Sequence, residues 1–262
     1  MHYFSDEFYV NIILRQYPDC LYIRQPDITG QVGKVFFVVL PTDTIVCKFN
    51  DQEIIQRNYQ ISQILKNRIA SIPVTKTHEF SNVYFETYKY CPGKTLFEYM
   101  QQGMPADKIF DIYQQAIFVQ KEISKINPKE LNFKNCKYAH ETFAYNVKTR
   151  TSNIVTTTKS FIYKVLSNNN QQLLLHNDIQ PRNILINDDM QLTGLIDLDS
   201  IALCNESFSV LRTLDRYPLK NYNEYIDFYE DTMQRKVNRR AILYGINLLK
   251  QIRNCKQAIF GK

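Results

Sequence analysis

Residues 173–186 read LLLHNDIQPRNILI, and after the turn NDDMQ (187–191) residues 192–201 read LTGLIDLDSI. Each apolar run is short, rich in Leu and Ile and bounded by turn residues, so each predicts a strand. Polar residues gathered at the ends of two such strands are the pattern of a loop-borne site on a rigid frame. Here His176 and Asn177 lead into Asp178, Asn183 stands five residues further on, and Asp197 lies at the end of the second run. That spacing matches a phosphoryl-transfer site, which uses one carboxylate to orient and deprotonate an attacking hydroxyl, and an amide oxygen and a second carboxylate to hold magnesium on the phosphates. A hard, oxygen-seeking cation suits Asn and Asp rather than thiols.

The 262 residues are 44% hydrophobic and 22% charged, a composition that excludes a disordered tail, a collagen-like repeat and a disulfide scaffold. That length allows one large domain or two lobes, with no metal or disulfide needed to hold the core. The cysteines Cys20, Cys47, Cys91, Cys136, Cys204 and Cys255 form no CxxC pair and have no His beside them. This argues against zinc and a secreted framework and for reduced thiols in a cytoplasm. The longest apolar run, VFFVVL (35–40), is far short of the roughly 20 residues of a membrane span. Asp6 and Glu7 stand where a signal peptide carries bases, so a soluble cytoplasmic protein with no membrane partner is expected.

Further from the loop, the apolar period switches between helix and strand. Ser5 followed by Asp6 and Glu7, with Tyr9, Ile12, Ile13 and Tyr17 at helical spacing, predicts a short capped helix. The loop TGQVGK (29–34), the run VFFVVL, the turn PTDT (41–44) and the run IVCKF (45–49) predict a hairpin entered through a glycine-containing loop. Residues 51–65 return to helical spacing, with Ile54, Asn58, Ile61 and Leu65 on one face, so one polar residue interrupts an apolar stripe. Residues 83–90 are β-like and end at Cys91-Pro92-Gly93, a hinge between a small mixed lobe and a larger helical one. Helices are expected over 96–100, 106–126, 139–166 and from 221 onward. The fold class is α+β, with an antiparallel-sheet lobe over 1–88, a mainly helical lobe over 89–262 and a hinge at about 87–93.

HNDIQPRNILI followed by GLIDLDS resembles the catalytic loop and metal-binding segment of the aminoglycoside phosphotransferase and choline/ethanolamine kinase superfamily. His176, Asp178, Pro181 and Asn183 fall on positions of that family's loop, and PGKTL (92–96) is similar to its segment just after the hinge. The resemblance implies a bilobal protein-kinase-like fold, ATP bound between the lobes with Mg2+, and phosphate transfer to a hydroxyl of a small molecule. Carried over to this chain, Asp178 is the catalytic base, Asn183 and Asp197 are the magnesium ligands, and His176 supports the loop without reacting. Asp199 either reaches the metal through water or caps the next turn.

Lys48, in IVCKF, stands where the family places the strand lysine that reaches the nucleotide phosphates. The helix position that normally pairs it with a glutamate holds Asn58, and a neutral amide orients a lysine more weakly than an ion pair does. Gly30 and Gly33 supply two flexible positions for a phosphate-covering loop, a spacing that is equally that of a plain turn. The backbone around Thr87, Tyr88 and Tyr90 is expected to receive the adenine. Arg182 replaces a residue that is small in the family, and either binds phosphate or faces water. Asn177 stands where a protein kinase carries the arginine that reads activation-loop phosphorylation, and neither DFG nor APE follows Asp197. A constitutively formed small-molecule site is therefore favoured.

Tyr222, Tyr225 and Tyr229 lie at helical spacing among Glu224, Asp227, Glu230 and Asp231. They are either a cation cage for an amine-bearing acceptor or, more simply, part of an amphipathic helix with a solvated acidic face. Arg235, Lys236, Arg239 and Arg240 are read as a solvated helix face with an Asp231–Arg235 ion pair, in preference to a nucleic-acid patch. The excess behind the +6 formal charge lies in residues 89–175, with 12 Lys and Arg against 6 Asp and Glu, so no nucleic-acid partner is expected. The sequence points to an ATP- and magnesium-dependent kinase of an aminoglycoside-, choline- or amino-alcohol-like hydroxyl compound. The alternative, suggested by Asn58 and the sparse glycine loop, is a nucleotide-binding but catalytically inactive regulator.

Overall fold

The structure, a computed structural model, describes residues 5–26, 34–131 and 173–260. Gly30 and Gly33 of the expected phosphate loop, and the helix expected over 139–166, lie outside the described residues. The chain divides into two compact units, Met1–Pro92 and Gly93–Lys262.

In the first unit Ser5 caps helix α1 (Asp6–Gln16), its Oγ accepting from the Phe8 N–H at 3.3 Å, and Asp6 and Glu7 sit at the positive end of the helix. The strands are β1 (Tyr22–Arg24), β2 (Lys34–Val39), β3 (Thr44–Phe49), β4 (Lys76–Phe80) and β5 (Val83–Lys89). They pair antiparallel in the order β1-β2-β3-β5-β4. Ser81 and Asn82, both at positive φ, make the two-residue primed turn whose twist suits the β4–β5 hairpin.

Alternation along the strands separates two faces. One carries Phe36, Val38, Cys47, Phe49 and Phe85, which close on Tyr9, Ile12 and Ile13 of α1. Burying such a side chain stabilises by about 1.5–3 kcal/mol. The other face carries Lys48 and Glu86, and helix α2 (Gln52–Leu65) packs there through Ile55, Asn58, Ile61, Ser62 and Leu65. Ile54, expected on that stripe, is only half-buried, and Ile55 takes its place.

In the second unit β6 (Lys94–Thr95), β8 (Ile184–Ile186) and β9 (Leu192–Leu195) form one antiparallel sheet, and β7 (Leu173–His176) pairs with β10 (Ile201–Cys204). Helix α3 (Leu96–Gln101) opens on a capping box, with the Glu98 N–H donating to Thr95 Oγ1 at 3.2 Å and the Glu98 carboxylate accepting from the Thr95 N–H at 2.7 Å. Just before β6, Gly93 (φ 120°) passes so close to β8 that a Cβ would stand 2.2 Å from the Ile186 carbonyl oxygen. The remaining described helices are α4 (Ala106–Ser124), α5 (Glu206–Asp215), α6 (Tyr222–Met233) and α7 (Arg239–Phe260). α4 packs on β7 and α6, and α5 packs on α7. None of the described helices is long and apolar enough to cross a membrane.

Two expectations about the C-terminal helices resolve here. Tyr225 and Tyr229 are buried, and the Tyr225 ring lies 6.1 Å from that of Tyr113 and 5.2 Å from that of Tyr217. They are core residues, and burial pushes their phenols up from the usual range. Residues 235–238 are not helical, so the Asp231–Arg235 helix pair does not form. Instead Arg235 reaches Glu206 at 3.4 Å, and the buried Glu230 receives Lys236 at 2.8 Å, Arg239 at 2.5 Å and the Val237 N–H at 3.0 Å. Burial works to raise the Glu230 carboxyl, but those donors outweigh it and hold it at about 2.

Candidate active site

The loop after β7 is framed by buried groups. The His176 N–H and C=O face away from β10 and meet a side chain in place of a strand. Gln120 of α4 accepts from the N–H at 2.8 Å, donates to the carbonyl at 3.4 Å, and donates to Ser209 Oγ at 3.1 Å. The His176 ring is also committed to backbone. Nδ1 accepts from the Asp178 N–H at 3.2 Å, so the ring proton sits on Nε2, which donates to the Ile196 carbonyl at 3.0 Å. Asn177 stitches the turn to β10: its N–H and Nδ2 donate to the Ser200 carbonyl at 3.0 and 3.4 Å, and Oδ1 accepts from Cys204 Sγ at 2.8 Å. Burial pushes the Cys204 thiol well up, and the Cys47 thiol up to about 12, which keeps both in the unreactive protonated form.

Asp178 emerges from this frame with 12% of its side chain exposed. Gln180 Nε2 at 2.6 Å and Asn183 Nδ2 at 3.0 Å donate to its Oδ2, while Arg212 at 3.0 Å and Arg216 at 3.1 Å donate to its Oδ1. Asn183 Nδ2 also donates to the Asp178 carbonyl at 2.9 Å, which turns Oδ1 of the amide away from the carboxylate. The Asn183 carbonyl accepts the Ile196 N–H at 3.0 Å, tying it to the residue before Asp197. Asp197 takes the left-handed conformation (φ 68°, ψ 56°), which Asp tolerates better than most residues, and accepts from Ser200 Oγ at 3.2 Å. Asp199 follows, half-buried in the 3-10 turn Leu198–Ser200. Arg182 is exposed, with its guanidinium 4.6 Å from the centre of the Phe97 ring. Among the described residues no three His, Cys, Asp or Glu side chains gather as a metal site. The Asn183 amide oxygen and the Asp197 carboxylate are hard oxygen donors of the kind that suits magnesium.

Arg212 and Arg216 were not singled out from the sequence. They stand four residues apart, on α5 and at its C-cap, where like charges repel on an isolated helix. Such a pair is a usable signal for a facing anion.

In the first unit, Lys48 is 6% exposed, Glu86 2% and Asn58 fully buried. Lys48 lies directly opposite Glu86 in the β3–β5 ladder, which places both side chains on the α2 face with Cβ atoms about 5 Å apart. Asn58 Nδ2 donates to Glu86 Oε1 at 3.0 Å. Thr87 faces the other way: its hydroxyl is 2.8 Å from His78 Nε2 and accepts from Tyr17 at 3.4 Å, and its backbone pairs with both β3 and β4. Tyr88 pairs with Val46 of β3 beyond the end of β4, and the Tyr90 N–H donates to the Thr44 carbonyl at 2.9 Å.

Residues 28–203 match the model of a family described as the phosphotransferase enzyme family. No curated protein sequence matches the chain. Among solved structures, an aminoglycoside 3'-phosphotransferase of type VIII is 12% identical over 93% of this chain and 97% of its own, with a TM-score of 0.68. A macrolide 2'-phosphotransferase from Brachybacterium faecium is 11% identical over 94% of this chain and 93% of its own, with a TM-score of 0.59. A thermostable aminoglycoside phosphotransferase mutant in ternary complex with ADP and hygromycin B is 14% identical over 92% of this chain and 88% of its own, with a TM-score of 0.62. The likeness is one of fold, and that fold is the α+β kinase-like class expected from the sequence.

Proposed function

The chain belongs to the phosphotransferase enzyme family, and on that premise we propose that it transfers the γ-phosphate of ATP to a hydroxyl of a small molecule with the help of magnesium. The observation that carries this reading is the contact of Asp178 with Asn183, a carboxylate and an amide joined at 3.0 Å where β7 ends. Asp178 orients the acceptor hydroxyl and takes its proton as the oxygen attacks. Asn183, with its amide nitrogen committed to Asp178, offers Oδ1, and Asp197 offers a carboxylate; both are hard oxygen donors that fit a magnesium ion, with Asp199 able to reach it through water. When bound, magnesium neutralises charge on the transferring phosphates. Lys48 contacts phosphate, Gly30 and Gly33 cover it, and the backbone of Tyr88 and Tyr90, beyond the end of β4, receives the adenine, since that of Thr87 lies inside the sheet between β3 and β4. In this reading the first unit binds nucleotide, the second carries the chemistry and the acceptor, and the protein works in the cytoplasm.

Thermal unfolding tests the nucleotide part. ATP with magnesium at about 100 times its dissociation constant stabilises by about 2.7 kcal/mol, which raises Tm by roughly 5 to 10 °C in a chain of this length. An unchanged Tm at millimolar MgATP removes both the kinase and the nucleotide-sensing regulator. A rise without ATP consumption over a panel of hydroxyl compounds selects the regulator.

A further inference from the structure

We propose that the acceptor is a hydroxyl compound carrying an anionic group, a carboxylate or a phosphate, and that Arg216 selects it. The proposal rests on the phosphotransferase reading above. A general base must present a lone pair to the acceptor hydroxyl, yet both oxygens of Asp178 already take two donors each. One donor therefore leaves when the acceptor arrives. Asn183 is held to the Asp178 carbonyl as well as to its carboxylate, and Arg212, with 17% of its side chain exposed, is anchored by Nε to the Asn177 carbonyl at 3.1 Å. Arg216 has 44% of its side chain exposed, and both its described bonds, to Asp178 and to Gln180, come from one nitrogen.

Gln180, the neutral donor on Oδ2, is itself held through its Oε1 by Arg216, so of the two charged donors on Oδ1 Arg216 is the one that moves with less loss. A guanidinium drawn off one carboxylate settles on another anion, which a carboxylate or phosphate on the acceptor supplies in two-pronged geometry. A polycationic acceptor instead brings ammonium groups against two guanidiniums. In the transfer the acceptor oxygen bonds Pγ, the bond from Pγ to the bridging oxygen of ADP breaks, and the hydroxyl proton passes to Asp178 Oδ1.

Steady-state assays with MgATP test this on matched pairs, glycerate against glycerol and gluconate against sorbitol, with kanamycin and choline alongside. The anionic member of each pair is expected to have a kcat/KM roughly 10- to 100-fold higher, and Arg216→Gln to raise its KM by about the same factor while the KM for ATP stays put. Without any acceptor, Arg216→Gln opens a lone pair to water and hydrolyses MgATP several-fold faster than the native chain. Kanamycin or choline outperforming every anion overturns the proposal, as does a variant with native KM and native hydrolysis. If no compound in the panel is phosphorylated, the hydrolysis comparison decides alone. Loss of the MgATP thermal shift in the native chain sinks the phosphotransferase reading; a retained shift with unchanged hydrolysis in Arg216→Gln sinks only the acceptor proposal.

An independent observation in the first unit carries a second inference: the geometry points to Glu86 as the positioning carboxylate of Lys48, replacing the glutamate missing from α2. A buried ammonium keeps a compensating charge near it. Glu86 stands on the adjacent strand in direct register with Lys48, and Asn58, at the helix position, holds that carboxylate by its amide at 3.0 Å. In this chain the acid stands on the strand and the amide on the helix. Glu86→Gln is expected to slow MgATP hydrolysis on the order of 100-fold. In a Lys48→Met background the same change should cost nothing more, and adding Asn58→Glu to Glu86→Gln should restore most of the loss by returning a carboxylate to the same pocket. Additive losses, or native turnover in Glu86→Gln, overturn the assignment. If Glu86→Gln does not fold, the Asn58→Glu, Glu86→Gln double variant keeps one buried acid, and its folding without turnover is the overturning result. Native turnover in Lys48→Met counts against the phosphate role of Lys48 instead.

Discussion

Asp178→Asn is expected to lower phosphate transfer by about 10² to 10⁴-fold, the usual contribution of a general base, while leaving the MgATP thermal shift as in the native chain. The amide that replaces the carboxylate keeps one oxygen and gains an NH2 group. Arg212 and Arg216 bring charge-assisted bonds at 3.0 and 3.1 Å and retain the oxygen, so the NH2 group faces Gln180 and Asn183. Asn183 still has the residue 178 carbonyl at 2.9 Å to hold it, so its Oδ1 stays where it is. Chemistry and binding therefore separate in this variant. ATP consumption and thermal unfolding measured on the same sample check it, and undiminished turnover would remove Asp178 from the role of base.

The largest expected effect on stability is at Gly93. A Cβ there meets the Ile186 carbonyl oxygen at 2.2 Å and its carbon at 2.8 Å, and a φ of 120° is one that side chains rarely adopt. Neither contact is with a flexible side chain, because Ile186 sits in β8, paired with Lys94 on one side and with β9 on the other. Overpacking and backbone strain together put Gly93→Ala at roughly 2 to 6 kcal/mol of destabilisation, a fall in Tm of roughly 5 to 20 °C. Thermal and urea unfolding read this directly, and a midpoint within about 2 °C of the native value would mean that the two strands part at little cost.

What was legible in the sequence, and what was not, divides by range of interaction. VFFVVL and IVCKF read as near-continuous apolar runs because both faces of that hairpin are in use, and α2 shows its apolar stripe, displaced by one residue at Ile55. KTHEF (76–80) gives no such signal although it forms β4. It lies at the sheet edge, where its side chains are exposed or half-buried and no apolar alternation is required. Lys94–Thr95 is too short for any period. In the candidate site, Asp178, Asn183 and Asp197 stand out in the sequence because one loop and its two strands hold them at set spacings. Glu86, Arg212 and Arg216 arrive through tertiary contact, and the sequence carries them only as oddities. Asn58 is a polar residue on an apolar face that called for a polar partner, and two arginines four apart called for an anion. Alternation in VYFETYK marks Glu86 as belonging to the face opposite Phe85, but not that α2 covers that face as well.

Gln120 also sets where β7 ends. A side-chain amide copies one peptide unit and has no successor, so it can satisfy the N–H and C=O of a single residue and then the imitation strand stops. The strand is thereby measured off at His176, and Asp178 lies two residues beyond that mark. That mark is set from the interior of a 19-residue helix, while Gln180 and Asn183 of the loop hold the carboxylate beyond it.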